Sequence, residues 1–301
     1  MPEASCRPYP ALRPGDRVAV VAPSGPFDRA AFDAGLAPVS NRYHVELDPG
    51  ILARRRYLAG EDARRLGELI AALADPQIKA VFCARGGYGA MRLLPHLEST
   101  PITPKALVGF SDIVALHALL GRAGHVSIHG PVLTQLGALC TATHERLFAL
   151  LESSRPAQTL YGGATFVGGT AEGPLVGGNL ATLTALLGTP YAPCFDQAVL
   201  LLEEVGERPY RLDRMWTHLA LAGVFRRIHG IVLGSFTRCE ERDADFTSID
   251  VLRDLAIATG LPCAAGFPIG HGEFNEPVPL GVRVRLDASE RSLTFLDSAA
   301  R

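Results

Sequence analysis

The amino-acid sequence predicts an α/β protein in which a mostly parallel sheet carries helices on both faces. Through the first 122 residues, apolar runs of strand length alternate with segments that have the apolar spacing of a helix. This alternation is typical of parallel sheets, because each crossover connection lays a helix against the sheet. The length of 301 residues allows two domains or one large one.

The elements of the first half follow in order along the chain. Residues 17–22 are a short apolar run that ends in a turn cluster at 23–26, which predicts a strand. Residues 61–75 place apolar side chains on one helical face, with Asp62 as a candidate cap and Pro76 as a stop. The remaining predicted elements are a strand at 78–83, a helix at 91–97, a strand at 107–110 and a helix at 112–121.

The second half begins with a change in composition. Serine, proline and glycine are frequent between residues 152 and 173, which predicts a linker with short extended pieces. A buried strand at 199–203, an amphipathic helix at 209–221, a buried strand at 231–234 and a terminal hairpin at 282–295 follow. We therefore predict an N-terminal α/β domain at 1–152, a linker at 153–173 and a C-terminal β/α domain at 174–301.

Composition and charge exclude several classes of protein. The chain is 48% hydrophobic and 20% charged, which is ordinary for a globular core, and its net charge of -2 disfavours nucleic acid or an anionic membrane as the main partner. No apolar run approaches membrane-spanning length, and residues 1–16 lack the apolar core of a signal peptide. Six cysteines without a C-x-x-C pair predict reduced thiols, no zinc site and a cytoplasmic location.

The segment at residues 106–117 is the strongest candidate for chemistry. Its apolar run ends on Gly109-Phe110-Ser111-Asp112, and a helical pattern starts at once. A sharp strand-to-helix turn of this kind exposes a serine Oγ beside backbone N–H groups, as a nucleophile and its oxyanion require. The structural alternative is that Ser111 only caps the helix, since serine and aspartate are preferred there.

Three turns are predicted to meet near Ser111. Ligands of open α/β sheets bind beyond the carboxyl ends of the strands. The turns that follow the predicted strands there are residues 22–25, 84–89 and 109–112.

A serine nucleophile needs a base, and the base needs an orienting acid. Among nine histidines, His129 is a fair candidate and His271 a better one, because glycines and a proline flank it in a tight loop. Four apolar residues lead directly into Glu203, so its carboxylate should lie at the end of a buried strand and need a partner. The alternative is that Glu203 or its neighbour pairs with arginines at 208, 211 or 214.

Other motifs leave rival interpretations open. Cys83 is a second possible nucleophile at a strand end. The glycine-rich segments 85–89 and 177–179 resemble phosphate-binding loops but match neither established fingerprint, so a nucleotide-binding module is a weaker alternative. Glycines beside a nucleophile serve equally well as part of an oxyanion hole.

Taken together and in order, six segments resemble the LD-carboxypeptidase family of serine peptidases, which includes the microcin-immunity peptidases. The segments span nearly the whole chain. They are residues 20–25, 85–89, 109–113, 177–180, 201–204 and 266–272.

The resemblance implies a Ser-His-Glu triad formed by Ser111, His271 and Glu203, with no cofactor and no metal. It implies a flavodoxin-like N-terminal domain, a swivelling β/α C-terminal domain and a homodimer. The implied reaction is hydrolysis of the terminal L,D bond of a cytoplasmic muropeptide, which releases D-alanine during cell-wall recycling. The alternative within the family is an immunity peptidase that cleaves a peptide–nucleotide antibiotic, for which Trp216 is the only tryptophan able to stack on a base.

The resemblance also assigns supporting roles around the nucleophile. The backbone N–H of Asp112 and one from Gly86 or Gly87 would form the oxyanion hole. Arg85 is a candidate partner for the substrate carboxylate, and Tyr88 a second candidate substrate contact.

The chain departs from the family pattern at three positions outside the triad. It has Phe110 where the family often has Tyr, Val114 where Thr is common, and Glu204 where Asp often follows the glutamate. The hydroxyl that Val114 lacks could support the turn of Ser111.

Overall fold

A computed structural model describes residues 6–301 of the chain. The first five residues of the segment 1–16, for which no signal peptide is predicted, lie outside the described residues. Among the described residues, no helix is long and apolar enough to cross a membrane. The six cysteines are all unpaired thiols.

The first sheet is formed mainly by strands from the first half of the chain. Its parallel strands lie in the spatial order β2-β1-β3-β4-β5, which is the flavodoxin-like order, so the predicted fold class is confirmed. These strands are β1 (Arg17–Val21), β2 (His44–Leu47), β3 (Ala80–Cys83), β4 (Ala106–Gly109) and β5 (Ser127–His129).

Helices connect and cover these strands. They are α1 (Arg29–Ser40), α2 (Asp62–Ala74), α3 (Leu94–Leu97), α4 (Val114–Arg122), α5 (Leu133–Leu136) and α6 (Thr141–Glu152). The predicted helices at 91–97 and 112–121 both begin as 3₁₀ turns, Ala90–Leu93 and Ser111–Ile113. The N-cap of α2 is Glu61, so the prediction that Asp62 caps this helix is wrong. The carboxylate of Asp62 instead accepts hydrogen bonds from Arg65 and Arg92.

The second sheet is mixed, with a parallel centre and antiparallel edges. Its spatial order is β6-β14-β13-β8-β9-β10-β11-β7, and the pairs from β8 to β11 are parallel. Its strands are β6 (Leu160–Tyr161), β7 (Ala164–Val167), β8 (Thr170–Asn179), β9 (Val199–Val205), β10 (Gly230–Thr237), β11 (Cys263–Ala265), β13 (Arg283–Asp287) and β14 (Ser292–Phe295). Its helices are α7 (Leu180–Leu186), α8 (Pro209–Leu221) and α9 (Ser248–Thr259), and a 3₁₀ turn spans Val224–Arg226.

The chain crosses between the two sheets more than once. Strand β12 (Val278–Leu280) comes from the second half of the chain but pairs antiparallel with β5 in the first sheet. The segment predicted as a linker contains β6, β7 and the start of β8, all of which belong to the second sheet. The predicted domain boundaries remain a prediction, and β12 brings the segment that follows residue 271 back to the sheet that carries Ser111.

Candidate active site

Ser111 lies on a strained turn between β4 and α4. Its φ of +64° is a left-handed conformation that costs an L-residue roughly 1–3 kcal/mol, and such residues cluster at active sites. The side chain is half-buried and caps no helix, because the cap position belongs to Phe110 and no side-chain capping bond is made. The geometry therefore matches a nucleophile elbow better than the structural alternative of a helix cap.

The three predicted turns meet at the carboxylate of Asp112, which confirms that prediction. Asp112 Oδ2 accepts the hydroxyl of Ser24 at 2.6 Å and the backbone N–H of Ala90 at 2.8 Å. The N–H of Gly25 in turn donates to the carbonyl of Gly86 at 3.0 Å. Burial raises the pKa of Asp112, and the two hydrogen bonds oppose that shift by stabilising its charge.

A buried arginine that sequence reasoning missed supports two of these turns from below. Arg65 is fully buried, and its Nη1 donates to the carbonyls of Pro23 and of Gly89, the latter at 3.0 Å. Its Nη2 donates to Asp62 at 2.6 Å. The available signal was a charged residue on the buried face of α2, four residues before Leu69.

Gly86 lies directly against Ser111. A Cβ at this position would lie 2.8 Å from Cβ of Ser111 and 3.1 Å from its Oγ, so a larger residue would displace the serine. Among the residues that the structure describes, the N–H groups of Gly86 and Gly87 donate no hydrogen bond. Both are therefore available to an oxyanion, and the choice between them stays open.

The structure brings His271 and Glu203 together across the second sheet. The Nδ1–H of His271 donates to Oε2 of Glu203 at 2.6 Å, and the backbone N–H of His271 donates to the same oxygen at 3.2 Å. Glu203 is fully buried at the carboxyl side of β9, and its Oε1 has no hydrogen-bond partner among the described residues. The Nδ1–H group of His271 is thus the side-chain partner of this buried carboxylate, and the hydrogen bond fixes the orientation of the imidazole ring.

The ring of His271 contacts Phe110, which belongs to the turn of Ser111. The two ring centroids lie 4.6 Å apart, and Phe110 immediately precedes Ser111. No hydrogen bond joins Ser111 Oγ to His271 within residues 6–301. In unliganded enzymes such contacts are often long and tighten when substrate binds.

Gly270 has the close approach that only glycine allows. Its φ is +107°, and a Cβ there would lie 2.8 Å from both Cβ and Cδ of Glu203. The glycine before His271 thus lets the loop pack directly on the carboxylate.

His129, the other candidate base, is buried without a partner. It is fully inaccessible, and both ring nitrogens lack a hydrogen-bond partner among the described residues. Burial, with the nearby His117 and His271, holds its pKa well below the ordinary value, so its ring stays neutral. It contacts Phe110 edge-on, with ring centroids 5.9 Å apart, and therefore packs behind the site.

The rival interpretations find structural explanations. Cys83 is fully buried, and burial raises the pKa of its thiol, so it is a poor nucleophile. A Cβ at Gly178 would lie 2.6 Å from Cγ2 of Val114 and 2.9 Å from Cδ2 of His129, so this glycine serves close packing. Glu204 accepts hydrogen bonds from Asn179 and two backbone amides rather than pairing with an arginine.

The candidate substrate contacts are exposed beside the elbow. Arg85 donates to the carbonyl of Pro26 and has no carboxylate partner within residues 6–301. It lines a cavity of about 420 Å³ together with Arg54 and Thr134. The ring of Tyr88 lies 5.9 Å from that of Tyr57, and both rings are largely exposed.

Comparison with known proteins finds matches to both halves of the chain. The model of the LD-carboxypeptidase N-terminal domain matches residues 18–130, and that of the C-terminal domain matches residues 172–286. The murein tetrapeptide carboxypeptidase of Pseudomonas aeruginosa is 35% identical over 295 residues, which cover 91% of this chain and 94% of the relative.

Two solved structures are similar over nearly the whole chain. The muramoyltetrapeptide carboxypeptidase from Oxalobacter formigenes is 26% identical with a TM-score of 0.81, and the match covers 93% of this chain and 97% of that one. The wild-type microcin C7 self-immunity protein has a TM-score of 0.85 at 20% identity, covering 98% and 100%. The latter likeness concerns the fold alone.

Proposed function

The chain belongs to the LD-carboxypeptidase family, and from that premise we propose that it is a serine carboxypeptidase that removes the terminal D-residue from a muropeptide. The observation that carries the proposal is the 2.6 Å hydrogen bond between His271 and the buried Glu203, placed beside the strained turn of Ser111. An exposed hydroxyl, an oriented imidazole and unpaired backbone N–H groups are the parts that acyl transfer needs.

In the acylation step, Ser111 Oγ attacks the scissile carbonyl carbon while Nε2 of His271 accepts the hydroxyl proton. Glu203 keeps the proton of His271 on Nδ1 and stabilises the imidazolium that forms. The negative oxygen of the tetrahedral intermediate accepts hydrogen bonds from the N–H of Asp112 and from that of Gly86 or Gly87. The C–N bond then breaks as His271 protonates the leaving amine, which departs as the free D-residue.

In the deacylation step, water takes the place of the leaving amine. His271 removes a proton from the water, and the hydroxide attacks the ester carbonyl of the acylated Ser111. The oxyanion hole is used a second time, and the ester bond breaks as the protonated His271 returns a proton to Ser111 Oγ. The shortened peptide leaves with a new C-terminal carboxylate. Water is the only co-reactant in the two proposed steps, so the proposed reaction uses no cofactor.

Arg85 supports a substrate with a free carboxylate next to the scissile bond. Arg85 lines a cavity with Arg54 and the acidic Asp28 and precedes Gly86, which packs against Ser111. Guanidinium groups bind carboxylates through paired hydrogen bonds. In this proposal Tyr88 adds an apolar contact at the same rim. The Pseudomonas aeruginosa relative, named for a murein tetrapeptide, has a substrate of this class.

The alternative substrate, a peptide–nucleotide antibiotic, finds no support in the tryptophan that it would use. Trp216 is 2% exposed and packs against Phe225 with ring centroids 5.0 Å apart, so it offers no surface to a base. The nucleotide-binding alternative is also weaker, because Gly178 is required by packing and the side chain of Asn179 is bonded to Glu204 and to the N–H of Thr182.

The same proposal places the protein in the cytoplasm, as a homodimer that acts on small peptides during cell-wall recycling, without nucleic acid or membrane partners. Six unpaired thiols are compatible with a reducing compartment. The dimer rests on the family resemblance, and sedimentation analysis tests it directly.

Mass spectrometry of the product tests the activity. A disaccharide-free murein tetrapeptide ending in D-alanine is incubated with the wild-type protein and with Ser111→Ala. We expect loss of one D-alanine with the wild type alone. An unchanged tetrapeptide with the wild type, or full turnover by Ser111→Ala, contradicts the proposal.

A further inference from the structure

The loop that carries His271 is held by a buried amide four residues later. Asn275 is fully buried, and its Oδ1 accepts the N–H of Gly270 at 2.9 Å. Because a backbone N–H can only donate, the oxygen of this amide faces Gly270 and its NH₂ group points away. That Nδ2 donates to Oε1 of Gln135 at 2.8 Å, which links two parts of the chain 140 residues apart.

Gln135 belongs to α5, a helix that packs against α1 and bonds to the residue after β3. A Cβ at Gly35 would lie 2.6 Å from the carbonyl carbon of Leu133, so α1 and α5 pack backbone against backbone. The N–H of Thr134 donates to the carbonyl of Ala84 at 3.1 Å, two residues before Gly86. Helix α5 therefore touches the loop that borders the nucleophile and, through Gln135, the loop that carries the base.

We propose that Gln135 and Asn275 are a positioning pair that aligns His271 with Ser111. This inference rests on the proposed function, in which these two side chains react together. Ser111 follows a strand of the first sheet, whereas Glu203 lies in the second and His271 follows a strand of it, so their alignment depends on contacts between the two halves. The pair touches no reacting atom and acts only through the loop.

A second contact docks the same loop more loosely. Glu276, next to Asn275, pairs with Arg146 at 2.8 Å and accepts a hydrogen bond from Thr143 at 3.3 Å. Arg146 is a quarter exposed, so this pair is screened by solvent. The amide pair defines the loop geometry more tightly, because the fully buried Asn275 bonds directly to the residue before His271.

Gln135→Met tests the pair with little change of shape, since it removes the oxygen that Asn275 bonds. A misplacement of about 1 Å costs about 100-fold in rate, so we expect kcat to fall roughly 10- to 100-fold while KM changes less than about threefold. Gln135→Glu is the matched control. Its carboxylate still accepts the hydrogen bond from Asn275, and we expect kcat within about threefold of wild type.

The double variant Gln135→Met with Asn275→Ala separates positioning from general destabilisation. If the two side chains act as one unit, the double variant loses no more kcat than the worse single variant, within about threefold. The proposal is overturned if the kcat losses of the two single variants multiply in the double variant. It is also overturned if Gln135→Met has wild-type kcat, or if Gln135→Glu and Gln135→Met lose kcat equally. Should Asn275→Ala not fold, the two Gln135 variants decide alone.

The outcome is distinct from failure of the proposed function. Full turnover of the murein tetrapeptide by Ser111→Ala overturns the reaction itself. An inactive Ser111→Ala beside a fully active Gln135→Met overturns only the positioning pair.

Discussion

Replacing Gly270 with alanine should misalign Glu203 and His271 without replacing either residue. The new Cβ would lie 2.8 Å from Cδ of Glu203, whereas ordinary contacts begin at 3.4 Å, so the carboxyl carbon must move by 3.4 − 2.8 = 0.6 Å, and its nearer oxygen further. That shift lengthens the 2.6 Å bond to Nδ1 and turns it out of line. At about 100-fold per ångström of misplacement, shifts of about 0.6 to 1 Å predict that kcat falls about 15- to 100-fold.

Backbone strain adds a separate effect on stability. A φ of +107° costs an alanine roughly 1–3 kcal/mol, which corresponds to a melting midpoint lower by roughly 2–10 °C. Gly260→Ala is the matched control, because its φ is +68° and no described atom lies within 4 Å of the added Cβ. We expect it to lower the melting midpoint while leaving kcat within about twofold.

The assay is steady-state release of D-alanine from the tetrapeptide, with thermal melting of the same samples. A Gly270→Ala protein with wild-type kcat would refute the reasoning. So would an equal loss of kcat in Gly260→Ala, because strain alone would then explain the effect.

Three further predictions concern separate groups. Glu203→Gln should lower kcat about 10³- to 10⁴-fold, because the amide no longer selects the Nδ1–H tautomer of His271, and a loss below tenfold in steady-state kinetics would contradict this role. Arg85→Gln should raise KM about 10- to 100-fold for a peptide with a free C-terminal carboxylate but not for its amide, and equal changes on both peptides would argue against carboxylate binding. Burial lowers the pKa of His117 to about 4 from its ordinary 6.5, so the unfolded chain binds the extra proton first. Stability is therefore lost as pH falls from 6.5 to 4, by about 3 kcal/mol, and urea unfolding of His117→Gln should show a shallower pH dependence over that window.

The ends of the predicted strands were the main sequence signal for the candidate site. The apolar run before Ser111 and the one before Glu203 both indicate where a strand stops, and in an α/β sheet that position faces the ligand crevice. The glycines around His271 indicate an exposed loop. The structure places Glu203 against His271, while their catalytic roles stay predictions.

Residues 153–173, predicted as a linker with short extended pieces, contain the short strands β6 and β7 and the start of β8. A glycine-rich stretch usually marks a loop, but here the glycines allow strands to pack closely. A Cβ at Gly173 in β8 would lie 3.0 Å from the carbonyl carbon of Gln197, which lies just before the neighbouring strand β9. That constraint depends on which strands are neighbours, which no local pattern reveals.

Contacts between residues far apart in the chain could not be predicted either, because they too depend on which segments are neighbours in space. Strand β12 is three residues long and pairs with β5, which lies about 150 residues earlier. The hydrogen bond from Asn275 to Gln135 joins polar residues with no motif of their own. Both features join distant parts of the chain, so they cannot be predicted from the periodicity and turn residues of a single segment.

Covalent labelling of the nucleophile tests the central claim most directly. The protein is treated with a fluorophosphonate, and the modified peptide is identified by mass spectrometry in the wild type, Ser111→Ala and His271→Gln. We expect a single adduct on Ser111, none in Ser111→Ala, and labelling at least about 10³-fold slower in His271→Gln, because the base comes from the other sheet. An adduct on another residue, or labelling of Ser111 that does not depend on His271, would contradict a triad assembled between the two sheets.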